Sequence, residues 1–152
     1  MATTIERSVE IAEPPARVWA VLADLDRLGD YDPVVVKSVV IGDQHLGVGA
    51  QRRCDARQRR YFVERVTEWV EPTRLQFAIV ECNLPTKNLT HAYTLEPTVL
   101  GTRVIEVMRY DTKFGLVGKL LDRLVLRSTT EKGINGFLAG LAKTVTDEAT
   151  MA

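Results

Sequence analysis

Arg52, Glu64 and His91 are the side chains of this 152-residue chain whose types and placement best suit joint chemistry. A guanidinium stabilises a developing oxyanion or enolate. A carboxylate or an imidazole moves a proton. Hairpin arithmetic places Arg52 and Glu64, because partners across an antiparallel hairpin keep a constant index sum and share a face. A turn centred near Gln58 gives a sum of about 116, which sets Arg52 opposite Glu64 and Cys54 opposite Phe62. Pro72-Thr73, read as a two-residue turn, gives 145 and pairs Val66 with Ile79 and Val70 with Leu75. All four are apolar, so this face points inward, and Phe62, Glu64 and Phe77 share it. His91, Tyr93 and Leu95 alternate with Ala92, Thr94 and Glu96, which turns His91 and Tyr93 inward. The same alternation sends Trp69 outward with Val63 and Thr67.

Several other chemistries are excluded at this level. The two histidines, His45 and His91, and the two cysteines, Cys54 and Cys82, form no metal-ligand spacing and no CxxC. No metal and no cofactor are expected. Twenty basic residues balance twenty acidic ones, whereas a dedicated nucleic-acid binder shows a basic excess. RRCDARQRR, residues 52–60, therefore reads as a solvated hairpin tip, and His45 as a solvated turn residue. The longest apolar runs, Val18–Ala23 and Phe137–Ala142, fall far short of the ~20 residues of a membrane-spanning helix. Met1–Glu10 is charged where a signal peptide is apolar. A cytoplasmic location follows as an expectation, with Cys54 and Cys82 reduced and unlinked. With 45% apolar and 26% charged residues, the chain reads as one globular domain over residues 1–152.

The elements that must position these side chains follow from periodicity. Residues 4–11 alternate as a half-buried strand, with Ile5, Val9 and Ile11 on one face and Arg7 breaking the pattern. EPPARVWAVLADLDRLGDYDP then turns helical. Pro14 and Pro15 suit a first turn, Val18, Val21, Leu22 and Leu25 make a stripe that includes Trp19 as core, and Gly29, Asp30 and Pro33 end it. Period-two segments follow at 34–41, 49–57, 60–70, 74–82, 90–96 and 102–111. From Gly115 to about Glu148 the period is helical again, with Leu116, Leu120, Leu124, Ile134, Leu138, Leu141 and Val145 in one stripe. Short turns force the strands antiparallel, and the apolar face of a seven-stranded sheet needs the terminal helix as cover.

This order resembles the helix-grip fold of the START-like superfamily, which holds the polyketide cyclase/dehydratase and lipid-transport proteins (SRPBCC), the pollen-allergen group and the plant abscisic-acid receptors. The residues that carry the likeness are PPARVWAVLADLDRLGDYDP, LGVGA, VERVTEWVEPTRL, GTRVIEV and GLVGKLLDRLVLR, spread over nearly the whole chain. The resemblance implies an α+β fold in which the sheet curls around the helix and leaves a cavity between them. It also implies that Lys37 (in VVKSVV), Glu64 (in VERV) and Glu106 (in VIEV) line that cavity, as the matching positions do in the abscisic-acid receptors. Register agrees. The Gly42–Gly49 loop sets Lys37 near Cys54, and turning Arg103 and Arg109 to solvent turns Glu106 inward.

The expected site is therefore a polar set, Lys37, Arg52, Glu64, His91 and Glu106, on an apolar concave surface that includes Phe77, Tyr93, Ile134, Leu138 and Leu141, with Tyr31 at the entrance. Two cations and two anions neutralise one another, as burial demands. Three functions remain open. The first is binding of a small apolar or amphipathic molecule, lipid-like, polyketide or aromatic. The second is polyketide cyclase or dehydratase activity, with Arg52 or Lys37 stabilising an enolate and Glu64 or His91 moving the proton. The third is a protein-interaction module.

Overall fold

The computed structural model describes residues 2–151. One seven-stranded antiparallel sheet runs in the order β1-β7-β6-β5-β4-β3-β2. β1 spans Thr3–Ile11, β2 Val35–Ile41, β3 Gln51–Ala56, β4 Arg60–Val70, β5 Arg74–Cys82, β6 Thr86–Pro97 and β7 Thr102–Thr112. Between β1 and β2 lie α1 (Pro15–Leu22), a 3₁₀ turn (Leu25–Arg27) and α2 (Leu28–Tyr31). After β7 come α3 (Gly115–Leu121), a π turn (Asp122–Leu126) and α4 (Arg127–Met151), which packs on β1, α1 and α2.

Local rules account for these elements. Pro15 opens α1, where its missing N–H is one the helix leaves unbonded anyway. Val18, Trp19, Val21 and Leu22 turn into the core. Arg7, the misfit of β1, reaches Glu131 of α4 at 3.1 Å, so its charge is paired where the strand meets the helix. The buried side of α4 is Ile134, Phe137, Leu138, Leu141 and Val145.

Three expectations require correction. The first concerns the β4–β5 turn, which takes three residues, so Val70 pairs with Arg74 and Trp69 with Leu75. A bulge between Val66 and Glu68 then shifts the register by one. Such a bulge reverses facing beyond it. Trp69 therefore turns inward and meets Trp19 edge-on at 5.2 Å, while Val70 is exposed.

The second correction concerns β2, which pairs Lys37 with Asp55 and Ser38 with Cys54, one residue off the expected register. Lys37 is exposed and Ser38 is buried. The third concerns the terminal helical stripe. It is core only from Ile134 onward, because Leu116, Leu120 and Leu124 are exposed.

Candidate functional site

A buried chain of polar side chains crosses the concave face of the sheet. β3 and β4 carry Arg52 and Glu64 as direct partners, and Arg52 Nε donates to Glu64 Oε1 at 2.5 Å. Arg52 also donates through Nη1 to the Leu25 carbonyl at 3.3 Å, and its guanidinium lies 4.7 Å from the Phe77 ring centre. Glu64 is fully buried. Burial alone would raise its carboxyl, but Arg52 and His91 outweigh that and bring it to about 2. It is therefore an anion throughout the physiological range.

That anion fixes where a proton sits on its second partner. Glu64 Oε2 sits 2.5 Å from His91 Nε2. A carboxylate only accepts, so Nε2 carries the proton. The other ring nitrogen, Nδ1, lies 2.8 Å from the Tyr93 hydroxyl. Phe77 stacks on the His91 ring at 5.1 Å. The chain thus runs Arg52, Glu64, His91, Tyr93. Tyr93 stands opposite Glu106 across β6 and β7.

Beyond His91 and Tyr93 the space between sheet and α4 opens into a cavity of about 230 Å³. Its wall is mainly apolar, with Phe62, Ile79, Met108 and Leu89 from the sheet and Ile134 and Phe137 from α4. Its polar lining includes His91, Tyr93, Glu106, Asp32 and Thr86. Glu106 is 2% exposed, and its Oε2 has no hydrogen-bond partner among the described residues. Burial, reinforced by the Asp32 charge and opposed by the Tyr93 hydroxyl, pushes the Glu106 carboxyl up to about 8. At neutral pH Glu106 is thus mostly a carboxylic acid, able both to donate and to accept.

Stability should register this shift. A carboxyl whose folded pKa is raised favours the folded state fully below the unfolded value and loses that contribution as pH rises through the folded value. For Glu106 the window runs from 4.5 to about 8. We expect the wild type to lose about 2–3 kcal/mol between those limits and Glu106→Gln to lose much less, since each unit is worth about 1.4 kcal/mol and cavity water offsets part. Urea melts across pH check this; equal slopes in the two proteins refute it.

Residues 2–146 match the family model described as polyketide cyclase / dehydrase and lipid transport. The chain belongs to this family. No curated protein matches it. Solved structures with the same fold include the Zhui aromatase/cyclase from Streptomyces sp. R1128, at TM-score 0.83 and 16% identity over 98% of this chain and 96% of that one. TTHA0849 from Thermus thermophilus has TM-score 0.79 and 24% identity, over 97% and 99% of the two chains. A norcoclaurine synthase point mutant from Thalictrum flavum, in complex with a transition-state analogue, has TM-score 0.76 and 17% identity over 98% and 97%.

In this member of the polyketide cyclase / dehydrase and lipid transport family the anticipated residues sort by position. His91, Tyr93, Glu106 and Ile134 are in the cavity wall. Arg52, Glu64 and Phe77 form the buried layer beside it, outside the wall. Leu138 and Leu141 are core on α4 and also outside the wall. Tyr31 is not at the entrance but buried, its ring 5.6 Å from that of Phe137. Lys37 is on the opposite face of the sheet. Among the described residues no group of three or more His, Cys, Asp or Glu is arranged to hold a metal, and no helix is long and apolar enough to cross a membrane. Cys54 is a buried free thiol, pushed up by burial, and Cys82 is also free.

Sequence reasoning missed Asp32, Thr86 and Phe137. Asp32 stands in DYDP beside Tyr31, and Phe137 lies inside the helical stripe, so both had a signal. Thr86 had none, because it falls between the period-two segments 74–82 and 90–96, whereas β6 already starts at Thr86.

Proposed function

We propose that the chain binds a compact apolar molecule with one polar end, aromatic or polyketide-like, in the cavity. The observation that carries this reading is the unpartnered Glu106 oxygen in a mainly apolar cavity. A buried polar atom without a partner costs free energy that a ligand group recovers. Size supports it: at about 230 Å³ the cavity exceeds an apolar one of about 150 Å³ that holds benzene. A two-chain lipid is too large to be enclosed. Glu106 as an acid, with Tyr93 and His91 beside it, suits a carbonyl, hydroxyl or phenol at the polar end.

Native mass spectrometry of freshly purified protein, then of protein exposed to a set of phenols and short aromatic ketones, tests this. We expect one ligand per chain. Gly133 lines the cavity, and a Cβ there meets only Val34 at 3.9 Å. Gly133→Trp should therefore fill the space and remove binding. Absence of any adduct, or equal binding by Gly133→Trp, rejects the reading.

The run of hydrogen bonds from Arg52 to Tyr93, ending at the cavity wall, favours a second reading as an enzyme of the cyclase or dehydratase type. Arg52 and Lys37 do not face the cavity, so neither serves an enolate directly. Glu106 is placed to exchange a proton with a bound substrate, whereas both ring nitrogens of His91 are held by Glu64 and Tyr93. In that case Glu106→Gln keeps binding and loses turnover; a carrier has no turnover to lose.

A further inference from the structure

The helical segment after β7 is amphipathic in the reverse of the usual sense. A helix on a folded core normally turns its apolar stripe inward. Here the buried residues are Gly118 and Asp122. A Cβ at Gly118 would meet the Lys113 carbonyl oxygen at 1.8 Å, so this side lies directly on the chain. The Asp122 carboxylate accepts from the Tyr110 hydroxyl at 2.5 Å and from Thr3 Oγ1 at 2.7 Å. The leucines are left outside. Leu116, Leu120 and Leu124 form one exposed row and Val117, Leu121 and Val125 the next, with Phe114 exposed before them. A run of this kind on a folded surface marks an interaction site.

Charge identifies the partner. Asp122, the sole acidic residue of 113–127, is buried. The exposed charges are Lys119, Arg123 and Arg127, all basic, with Arg127 bridging Glu131 at 3.2 Å. Lys119 and Arg123 have no carboxylate within salt-bridge distance among the described residues. A second copy docked through the same face would present the same unbalanced cations to them. An anionic lipid surface accepts leucines and lysines together. The patch also runs into the cavity wall. Leu126 follows it directly and lines the cavity, and Lys113 donates to the carbonyl of Leu84, another lining residue, at 2.7 Å.

We propose that the segment Phe114–Val125 docks this protein on anionic membrane surfaces, with the cavity entrance beside the docked face. Docking rests on the patch alone. Only the consequence that apolar ligands enter from the bilayer rests on the cavity reading.

The test is flotation of the full chain with vesicles of pure phosphatidylcholine and with vesicles containing about one-third phosphatidylserine. The wild type should float with the anionic vesicles, far less with the neutral ones, and less again as salt rises. A basic residue near such a surface is worth about fivefold in affinity, so Lys119→Gln with Arg123→Gln should weaken binding roughly 25-fold. Leu120→Glu with Leu124→Glu should abolish it. All four positions are exposed, so circular dichroism and small-ligand uptake should stay at wild-type level, which separates failure of docking from failure of the cavity reading. Equal flotation of wild type and the leucine variant overturns the proposal. So does a wild-type dimer that the leucine variant dissolves while neither protein binds vesicles, because a second copy would then own the patch.

Discussion

Replacing Arg52 by Met is expected to destabilise the fold by about 3–5 kcal/mol, because it leaves the Glu64 anion buried without its cation. Glu64 is fully buried and, among the described residues, has only Arg52 and His91 as side-chain partners. Arg57→Met, at the exposed β3–β4 tip, should cost about 0.5 kcal/mol or less. The informative protein is the double variant Arg52→Met with Glu64→Leu. It keeps no lone charge, so it should recover a large part of the loss, the remainder being the unbonded His91 Nε2. The coupling of the double-mutant cycle, read from urea melts, should be at least ~2 kcal/mol. Additive losses would show that the pair does not interact as its geometry implies.

Gly140→Ala is the second large effect, and its sign is opposite to helix propensity. Alanine in a helix interior is favoured over glycine by about 1 kcal/mol. At Gly140, however, a Cβ would sit 2.0 Å from the Tyr31 carbonyl oxygen, where α2 lies against α4. Backbone cannot rotate aside as a side chain can, so the helices must separate over Phe137 and Leu141. A net loss of about 3 kcal/mol is expected. Gly133→Ala supplies the control. Its Cβ has room, so it should gain up to ~1 kcal/mol in the same thermal or urea melt. A neutral or stabilising Gly140→Ala would mean that the two helices are not in close contact there.

What was legible in the sequence divides along one physical line. Element type and order came from periodicity and were recovered nearly end to end. Facing was recovered wherever a turn was short and the strand regular: Arg52 with Glu64 and Cys54 with Phe62 are register partners as the arithmetic required. It failed at bulges and long loops. The Thr67 bulge offsets the extra residue of the β4–β5 turn, so Glu64, Val66 and Phe77 kept their inward facing while Val70 and Trp69 exchanged sides. The loop after β2 shifted Lys37 by a single residue, which in a strand is a change of face. The exposed leucines of α3 were misread for a different reason. A stripe at helical spacing reports amphipathicity but not which side the protein uses. That information lay in Gly118 and Asp122, the residues the stripe leaves out.

The pairing of β1 with β7 sets how this chain can come into being. Thr3 lies opposite Tyr110, and α4, which covers the sheet, follows later still. At about 5–20 residues per second of synthesis, β1 waits on the order of ten seconds for its neighbour and its cover. Meanwhile β2 through β6 can zip up as successive hairpins, a curved sheet with a naked apolar concavity. A chain that pairs these strands before α4 is made would expose that concavity for as long as translation of the remainder takes. Slowing elongation through the codons for β7 to α4 should lower soluble yield, and a chaperone that shields exposed apolar surface should restore it.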